Sequence, residues 1–75
     1  MMNELDMIVL SVNIAAHELK VGDVGTVVQR YADGYFDAEF VTACGHTQAI
    51  VTLTADDVRP VRANDLLAVR SMDAA

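Results

Sequence analysis

The sequence predicts an all-β domain of five short strands, and three observations support this fold class. Gly22 and Gly25 stand three positions apart and lead directly into a β-branched run, as expected where a chain turns sharply into a strongly bent strand. Apolar and acidic residues alternate strictly over residues 36–40, which is typical of a half-buried strand. No segment between the predicted strands is long enough for a crossover helix, so an α/β fold is excluded.

The first half of the chain predicts two strands joined by a long loop. Residues 7–12 are rich in β-branched and other apolar side chains and form the first strand. Residues 13–21 are expected to form an irregular loop, because the segment is too short for an independent helix. Leu19 and Val21 of this loop are expected to turn inward. The second strand, residues 24–31, follows the glycine pair.

Two glycine-containing turns bound the third predicted strand, residues 35–42. Asp33-Gly34 is a tight-turn signal between two strand-like runs and predicts a hairpin. Gly45 marks the tip of the next hairpin. Because side chains alternate between the two faces of a strand, the pattern also fixes which face is core. The residues assigned to that core face are Phe36, Ala38 and Phe40.

The fourth strand, residues 47–53, is followed by one helical turn and a last strand. Thr54 is a capping residue and two acids follow it, which favours a single helical turn. Residues 58–61 return as the last strand, and Pro60 restricts that strand to an edge or an end. The inward residues of the fourth strand are expected to be Ala49, Val51 and Leu53. Five strands, a long first loop and a helical turn before the last strand predict a small SH3-like barrel.

Length and charge limit the domain organisation and the partners. The 75 residues suffice for one domain, with the barrel over residues 4–62 and a tail, a short helix or disordered, over residues 63–75. The net charge is −6, from 11 acidic and 5 basic residues. Nucleic acids and anionic membrane surfaces are therefore disfavoured, since both bind through Lys and Arg. A basic protein partner suits this charge.

The N-terminus and the cysteine content predict a cytoplasmic protein. The first residues are acidic and lack the basic segment and long apolar run of a secretory signal. The apolar runs are far shorter than the ~20 residues that span a bilayer. Cys44 is the one cysteine, so no internal disulfide forms, and a reducing compartment fits best.

The sequence predicts no catalytic residue, no metal ligand and no cofactor. Cys44 and His46 flank Gly45 at the second hairpin tip, but a structural zinc site needs four ligands. Two such pairs could meet in a symmetric dimer, and this alternative stays open. A nucleophile and base this close on a hairpin rarely hold the geometry that catalysis needs. We therefore expect a surface turn and a protein that is not an enzyme.

The expected partner-binding surface is one face of the third and fourth predicted strands, together with the turn that precedes the third strand. Acids at alternate positions form a stripe that fits a cationic partner, and tyrosine is enriched in binding hot spots. Val28 and two further aliphatic residues fall on strand faces that are not assigned to the core, and they would form an exposed apolar patch beside the stripe. The residues expected to bind a partner are Asp33, Tyr35, Asp37, Glu39, Val41 and Ile50.

The run from Leu19 to Val28 resembles a family of short bacterial proteins catalogued as domain of unknown function 4926. The resemblance spans residues 4–62 and rests further on residues 4–10, 31–34, 38–41, 51–53 and 57–61. It implies a stand-alone small barrel and carries no catalytic residue over to this chain. The shorter signature Gly22-x-x-Gly25-x-Val27 is also similar to barrels of the KOW type, whose RNA-binding basic residues this chain lacks.

These observations predict a small acidic protein-interaction module. It would bind a basic protein partner, as antitoxin or immunity proteins do, or a second copy of itself in a homodimer. The alternative is an accessory subunit or chaperone-like barrel of a larger enzyme, which would co-purify with a catalytic chain. The sequence leaves the identity of the partner and the oligomeric state open.

Overall fold

The structure, a computed structural model, describes residues 3–72 and contains five β-strands in one antiparallel sheet. The strands are β1 Met7–Leu10, β2 Val24–Arg30, β3 Phe36–Val41, β4 Thr47–Leu53 and β5 Val58–Pro60. They follow one another across the sheet in the order β4-β3-β2-β1-β5. The all-β prediction is therefore confirmed, and each strand lies within two residues of its expected bounds.

The barrel is open rather than closed. Within residues 3–72 no pairing joins β4 to β5, so these two strands are the edges of the sheet. β1 lies between β2 and β5, and Ile8 pairs with both Gly25 and Pro60. The position of Pro60 at the end of an edge strand agrees with its missing N–H donor.

The core lies on the inward face of the sheet. Phe36, Ala38 and Phe40 are all buried, so the predicted core face of β3 is confirmed. On β4, Ala49 and Leu53 are also buried, and Val51 packs against them in part. The other elements contribute Ile8, Leu10, Leu19, Val27 and Val58 to this cluster.

The two glycines at the start of β2 are required for two different physical reasons. Gly22 has a φ of +97°, a left-handed conformation that other residues adopt only with strain. A Cβ atom at Gly25 would lie 2.7 Å from Cε2 of the buried Phe40 ring. Gly22 therefore turns the chain, and Gly25 lets the ring of β3 pack directly against the backbone of β2.

Both predicted hairpins are present, and each has a three-residue loop that ends in a glycine. The Tyr31 N–H donates to the Tyr35 carbonyl at 2.8 Å, and the Thr42 N–H donates to the His46 carbonyl at 2.9 Å. The glycines are Gly34 and Gly45, each with a φ of +88°. A left-handed third residue is the usual way to close such a loop, and it fixes the register of the two strands.

The helical turn predicted before the last strand is a 3₁₀ turn over Ala55–Asp57. The Thr54 N–H donates to the Asp57 carboxylate at 3.0 Å, and the Asp57 N–H donates back to the Thr54 carbonyl at 3.0 Å. This reciprocal capping satisfies backbone groups that the end of β4 would otherwise leave unpaired.

The long first loop contains one 3₁₀ turn, Ala15–His17. Leu19 is buried in the core, as predicted. The prediction for Val21 is wrong, because its side chain is 58% exposed. The alternation expected from an extended chain breaks at the Gly22 turn, and the Val21 N–H is instead bonded to Oδ1 of Asn13 at 2.9 Å.

Residues 61–72 form neither helix nor strand, and two arginine–aspartate pairs fix them. Arg59 donates two hydrogen bonds to Asp65, at 2.8 and 3.1 Å. Arg70 binds both carboxylate oxygens of Asp23, with Nε 2.7 Å from Oδ1. The last three residues of the predicted tail lie outside the described residues. No helix among residues 3–72 has the length and apolarity to cross a membrane.

Candidate partner-binding surface

The strand register assembles one continuous outward surface on β2, β3 and β4. Side chains directly opposite each other in antiparallel strands lie on the same face. Glu39 is opposite Thr26 of β2 and Ile50 of β4, and Asp37 is opposite Thr52 of β4. We call this surface the outer face, and it consists of Thr26, Gln29, Asp37, Glu39, Val41, Thr47, Ile50 and Thr52, with the exposed Val28 beside them.

Asp37 is held by two hydroxyl groups, one from Thr52 of β4 and one from Tyr31, the residue that follows β2. The Tyr31 hydroxyl donates to Oδ2 at 2.6 Å, and the Thr52 hydroxyl donates to Oδ1 at 2.6 Å. The hydrogen bond from Thr52, followed by that from Tyr31, lowers the pKa of the Asp37 carboxyl below its ordinary value. The pKa of Tyr31 is raised above its ordinary value, because its proton is held by that carboxylate. Asp37 is therefore a fixed and fully ionised acid at neutral pH.

Glu39 lies two residues further along the same face. Its Oε2 accepts a hydrogen bond of 2.6 Å from the Thr47 hydroxyl of β4. Because Thr47 and Thr52 both belong to β4, one oxygen of each carboxylate is oriented from β3 toward β4, namely Oδ1 of Asp37 and Oε2 of Glu39. The arrangement forms a short acidic row with defined side-chain positions.

No cation among the described residues pairs with these two carboxylates, in contrast to two other acids of the chain. Asp23 and Asp65 are paired with arginines. Within residues 3–72 no Lys, Arg or His nitrogen forms an ion pair with Asp37 or Glu39. Hydroxyl donors orient a carboxylate without neutralising it, so the outer face presents unbalanced negative charge.

Aliphatic side chains surround the acidic row. Val41 and Ile50 are each 55% exposed, and Val28 is 37% exposed. Val28 lies at an irregularity where the pairing of β2 with β3 shifts between Val27 and Gln29. These exposures follow the sequence expectation for all three residues, and the resulting surface combines charge with apolar area.

The remaining two candidate residues lie at the β2–β3 hairpin, beside the outer face. Asp33 belongs to the exposed three-residue loop, and Tyr35 follows it with 47% of its side chain exposed. Asp37, Glu39, Val41 and Ile50 thus share one face, whereas Asp33 and Tyr35 extend that surface at one end.

A family comparison places the chain among related proteins. The model of the family "Domain of unknown function (DUF4926)" matches residues 4–60, which is most of the chain. The chain belongs to the DUF4926 family. Neither the curated proteins nor the solved structures gave a match.

The opposite end of this DUF4926 domain carries Cys44 and His46. Cys44 is exposed, and its sulfur lies 3.3 Å from the Thr42 hydroxyl. This hydrogen bond and one from the His46 backbone lower the pKa of the Cys44 thiol. Among the described residues no group of three or more His, Cys, Asp or Glu side chains is placed to hold a metal ion. The pair is part of a groove of about 760 Å³ between the β3–β4 hairpin and residues 68–72.

Three residues that orient the two carboxylates were not among the site residues expected from the sequence. They are Thr47 and Thr52 of β4 and Tyr31, which follows β2. The two threonines have the β propensity of ordinary strand residues, and only the register of β3 against β4 places them opposite acids. A threonine facing an acid across a predicted hairpin is the signal that would have identified them.

Proposed function

We propose that this DUF4926 chain is a non-enzymatic protein-interaction module that binds a basic protein partner through its outer face. The observation that carries the proposal is the row of Asp37 and Glu39, which is oriented by hydroxyl groups and not neutralised by cations within residues 3–72. The proposal includes regulation or neutralisation of that partner, as antitoxin and immunity proteins do.

Preorganisation supports a binding role for these acids. A flexible carboxylate loses side-chain entropy when a cation fixes it, and this loss weakens the interaction. Asp37 already accepts two short hydrogen bonds, and Glu39 accepts one. Much of the ordering has therefore occurred before the partner arrives.

Long-range charge supports the same partner class. The chain carries a net charge of −6, and complementary fields accelerate the encounter of oppositely charged proteins. Val41 and Ile50 then supply apolar area next to the charges. Apolar contacts beside oriented charges are the usual composition of a specific interface.

The test is a quantitative pull-down from lysate of the native host with a matched pair of variants. Asp37→Asn with Glu39→Gln removes two charges from the outer face, and Glu4→Gln with Asp56→Asn removes two exposed charges elsewhere. We expect the first variant to lose about tenfold in affinity for one stoichiometric partner, since each exposed ion pair contributes up to ~1 kcal/mol. The second variant should retain that partner.

One further measurement and three pull-down outcomes decide the interpretation. Thermal unfolding of both variants shows whether a loss of binding comes from a loss of fold. Equal capture by the two variants, or a partner that is acidic, contradicts the proposal. Capture of the chain by itself alone points to a homodimer instead of a basic partner.

A second candidate function is an accessory subunit that docks on a larger chain through the tail. Leu66 is 92% exposed and Val69 is 98% exposed. The ion pairs Arg59–Asp65 and Arg70–Asp23 hold this exposed apolar segment in place at its two ends. If this candidate is right, Leu66→Ser with Val69→Ser abolishes co-purification of an enzyme, and the outer-face variant does not.

A further inference from the structure

We infer that the basic partner adds an extended segment to the open edge of β4, which continues the sheet as a sixth strand. The inference rests on the proposed function and specifies how the partner binds. Its basis is a difference between the two edges of the sheet and the direction in which the outer-face carboxylates are oriented.

The two edges differ in the features that prevent strand addition. Natural sheets protect their edges with short strands, charged side chains and proline. β5 has all three, because it has three residues and includes Arg59 and Pro60. β4 has seven residues, and none of them is charged, glycine or proline. Within residues 3–72 the backbone of β4 is hydrogen-bonded to β3 alone, so its other edge presents unpaired N–H and C=O groups.

The acidic row is within reach of a strand added at this edge. Neighbouring strands lie about 4.8 Å apart, so the added strand would lie about 10 Å from β3. Oδ1 of Asp37 and Oε2 of Glu39 accept hydrogen bonds from hydroxyl groups of β4, which places these two oxygens nearer to the edge than the β3 backbone is. A lysine or arginine side chain on the added strand is long enough to cover the remaining distance.

The spacing of the acids sets the pattern of the partner segment. Asp37 and Glu39 are two residues apart on one face, and alternate residues of an extended strand are separated by roughly 7 Å. Cations at alternate positions of the added strand therefore match the two carboxylates. The intervening side chains would face inward beside the partly buried Val51, where β-branched apolar residues fit best.

Charge decides between this occupant and a second copy of the chain. Pairing β4 with β4 of another copy would bring together two chains that each carry −6. A basic segment removes this repulsion and satisfies the same backbone groups. Strand addition also combines backbone affinity with side-chain specificity, which is an established mode of peptide recognition.

The experiment uses the full chain and three capped synthetic peptides. The parent peptide alternates lysine and valine over seven residues. The second peptide has the same sequence with N-methyl groups on the amides of one strand edge, and the third has the same composition with its lysines consecutive. Affinity is measured by titration, and amide hydrogen exchange in β4 is measured by NMR with and without each peptide.

The expected result is tight discrimination among the peptides. The parent peptide should bind at least tenfold more strongly than the N-methylated and the consecutive peptides. It should also slow exchange at alternate amides of β4, whose N–H groups point to the open edge. The Asp37→Asn, Glu39→Gln variant should weaken the parent peptide about tenfold, and Glu4→Gln, Asp56→Asn should not.

The outcomes that overturn strand addition are distinct from failure of the proposed function. Equal binding of the parent and N-methylated peptides overturns it, even if the pull-down still gives a basic partner through the acidic row. Protection of the same β4 amides without peptide, together with a dimer in sedimentation, assigns the edge to a second copy and overturns it as well. Failure of the proposed function itself is a pull-down in which the outer-face variant retains its partner.

Discussion

Replacement of Gly25 by alanine tests how closely β3 packs against the backbone of β2. The new Cβ would lie 2.7 Å from Cε2 and 2.8 Å from Cζ of Phe40, whereas carbon atoms prefer a separation of about 3.5–4.0 Å. The ring must therefore shift by about 1 Å. Phe40 is 3% exposed, so its neighbours must shift as well.

The magnitude follows from the general cost of overpacking. An extra methyl group in a tightly packed core costs about 1–3 kcal/mol, and we expect Gly25→Ala to destabilise the fold by about 2 kcal/mol. For a domain of this size that loss lowers Tm by about 10 °C. Circular dichroism during thermal and urea unfolding measures both quantities.

A double-mutant cycle isolates the contact with the ring. In a Phe40→Leu background the nearest ring atoms are absent, so Gly25→Ala should cost less than half as much, with a coupling energy of at least about 1 kcal/mol. Gly22→Ala is the matched control, because no atom lies within 4 Å of its added Cβ. Its cost, about 1 kcal/mol, comes from the positive φ and should be the same in both backgrounds.

Two results would refute this reasoning. One is a Gly25→Ala variant that unfolds at the temperature of the wild type. The other is a cost for Gly25→Ala that Phe40→Leu leaves unchanged, since the strain would then come from the backbone of β2 and not from the ring.

Two further predictions concern ionisation. The Arg59 guanidinium lowers the pKa of Asp65 from its ordinary 3.8 to about 2. This pairing therefore stabilises the tail fully above about pH 4, and the stabilisation is lost as the pH falls through about 2. The Arg62 amide donates to Asp65 at 2.7 Å, so its NMR signal should titrate with that low midpoint, and a midpoint near 4 would contradict the pairing. The pKa of Tyr31 is raised by its hydrogen bond to Asp37, so Asp37→Asn should move the ultraviolet titration of Tyr31 to lower pH, and an unchanged titration would show that the contact is absent in solution.

The strands were predictable from the sequence because their signals are local. The alternation over residues 36–40 assigns each side chain of β3 to a face, and a glycine at the third loop position predicts each hairpin. The exposure of Val21 was not predictable in this way, because a tight turn interrupts the alternation at that point.

Contacts between distant residues account for what the sequence did not predict. Arg70 and Asp23 form an ion pair across most of the chain, and no periodic pattern relates two such positions. Likewise, the hydrogen bond of Thr52 to Asp37 depends on the register of β4. The open edges are also a property of the assembled sheet, so the predicted small five-stranded barrel did not indicate which two strands would form them.

The pairing of β1 with β5 has a consequence for how the chain folds. β2, β3 and β4 are joined by two short loops, so this meander forms from local contacts that require little loop closure. Ile8 and Pro60, by contrast, lie far apart along the chain and pair directly. This contact closes a long loop that contains the whole meander, so its entropic cost is larger than that of either hairpin. The sheet is therefore completed only when β5, its last strand along the chain, pairs with β1.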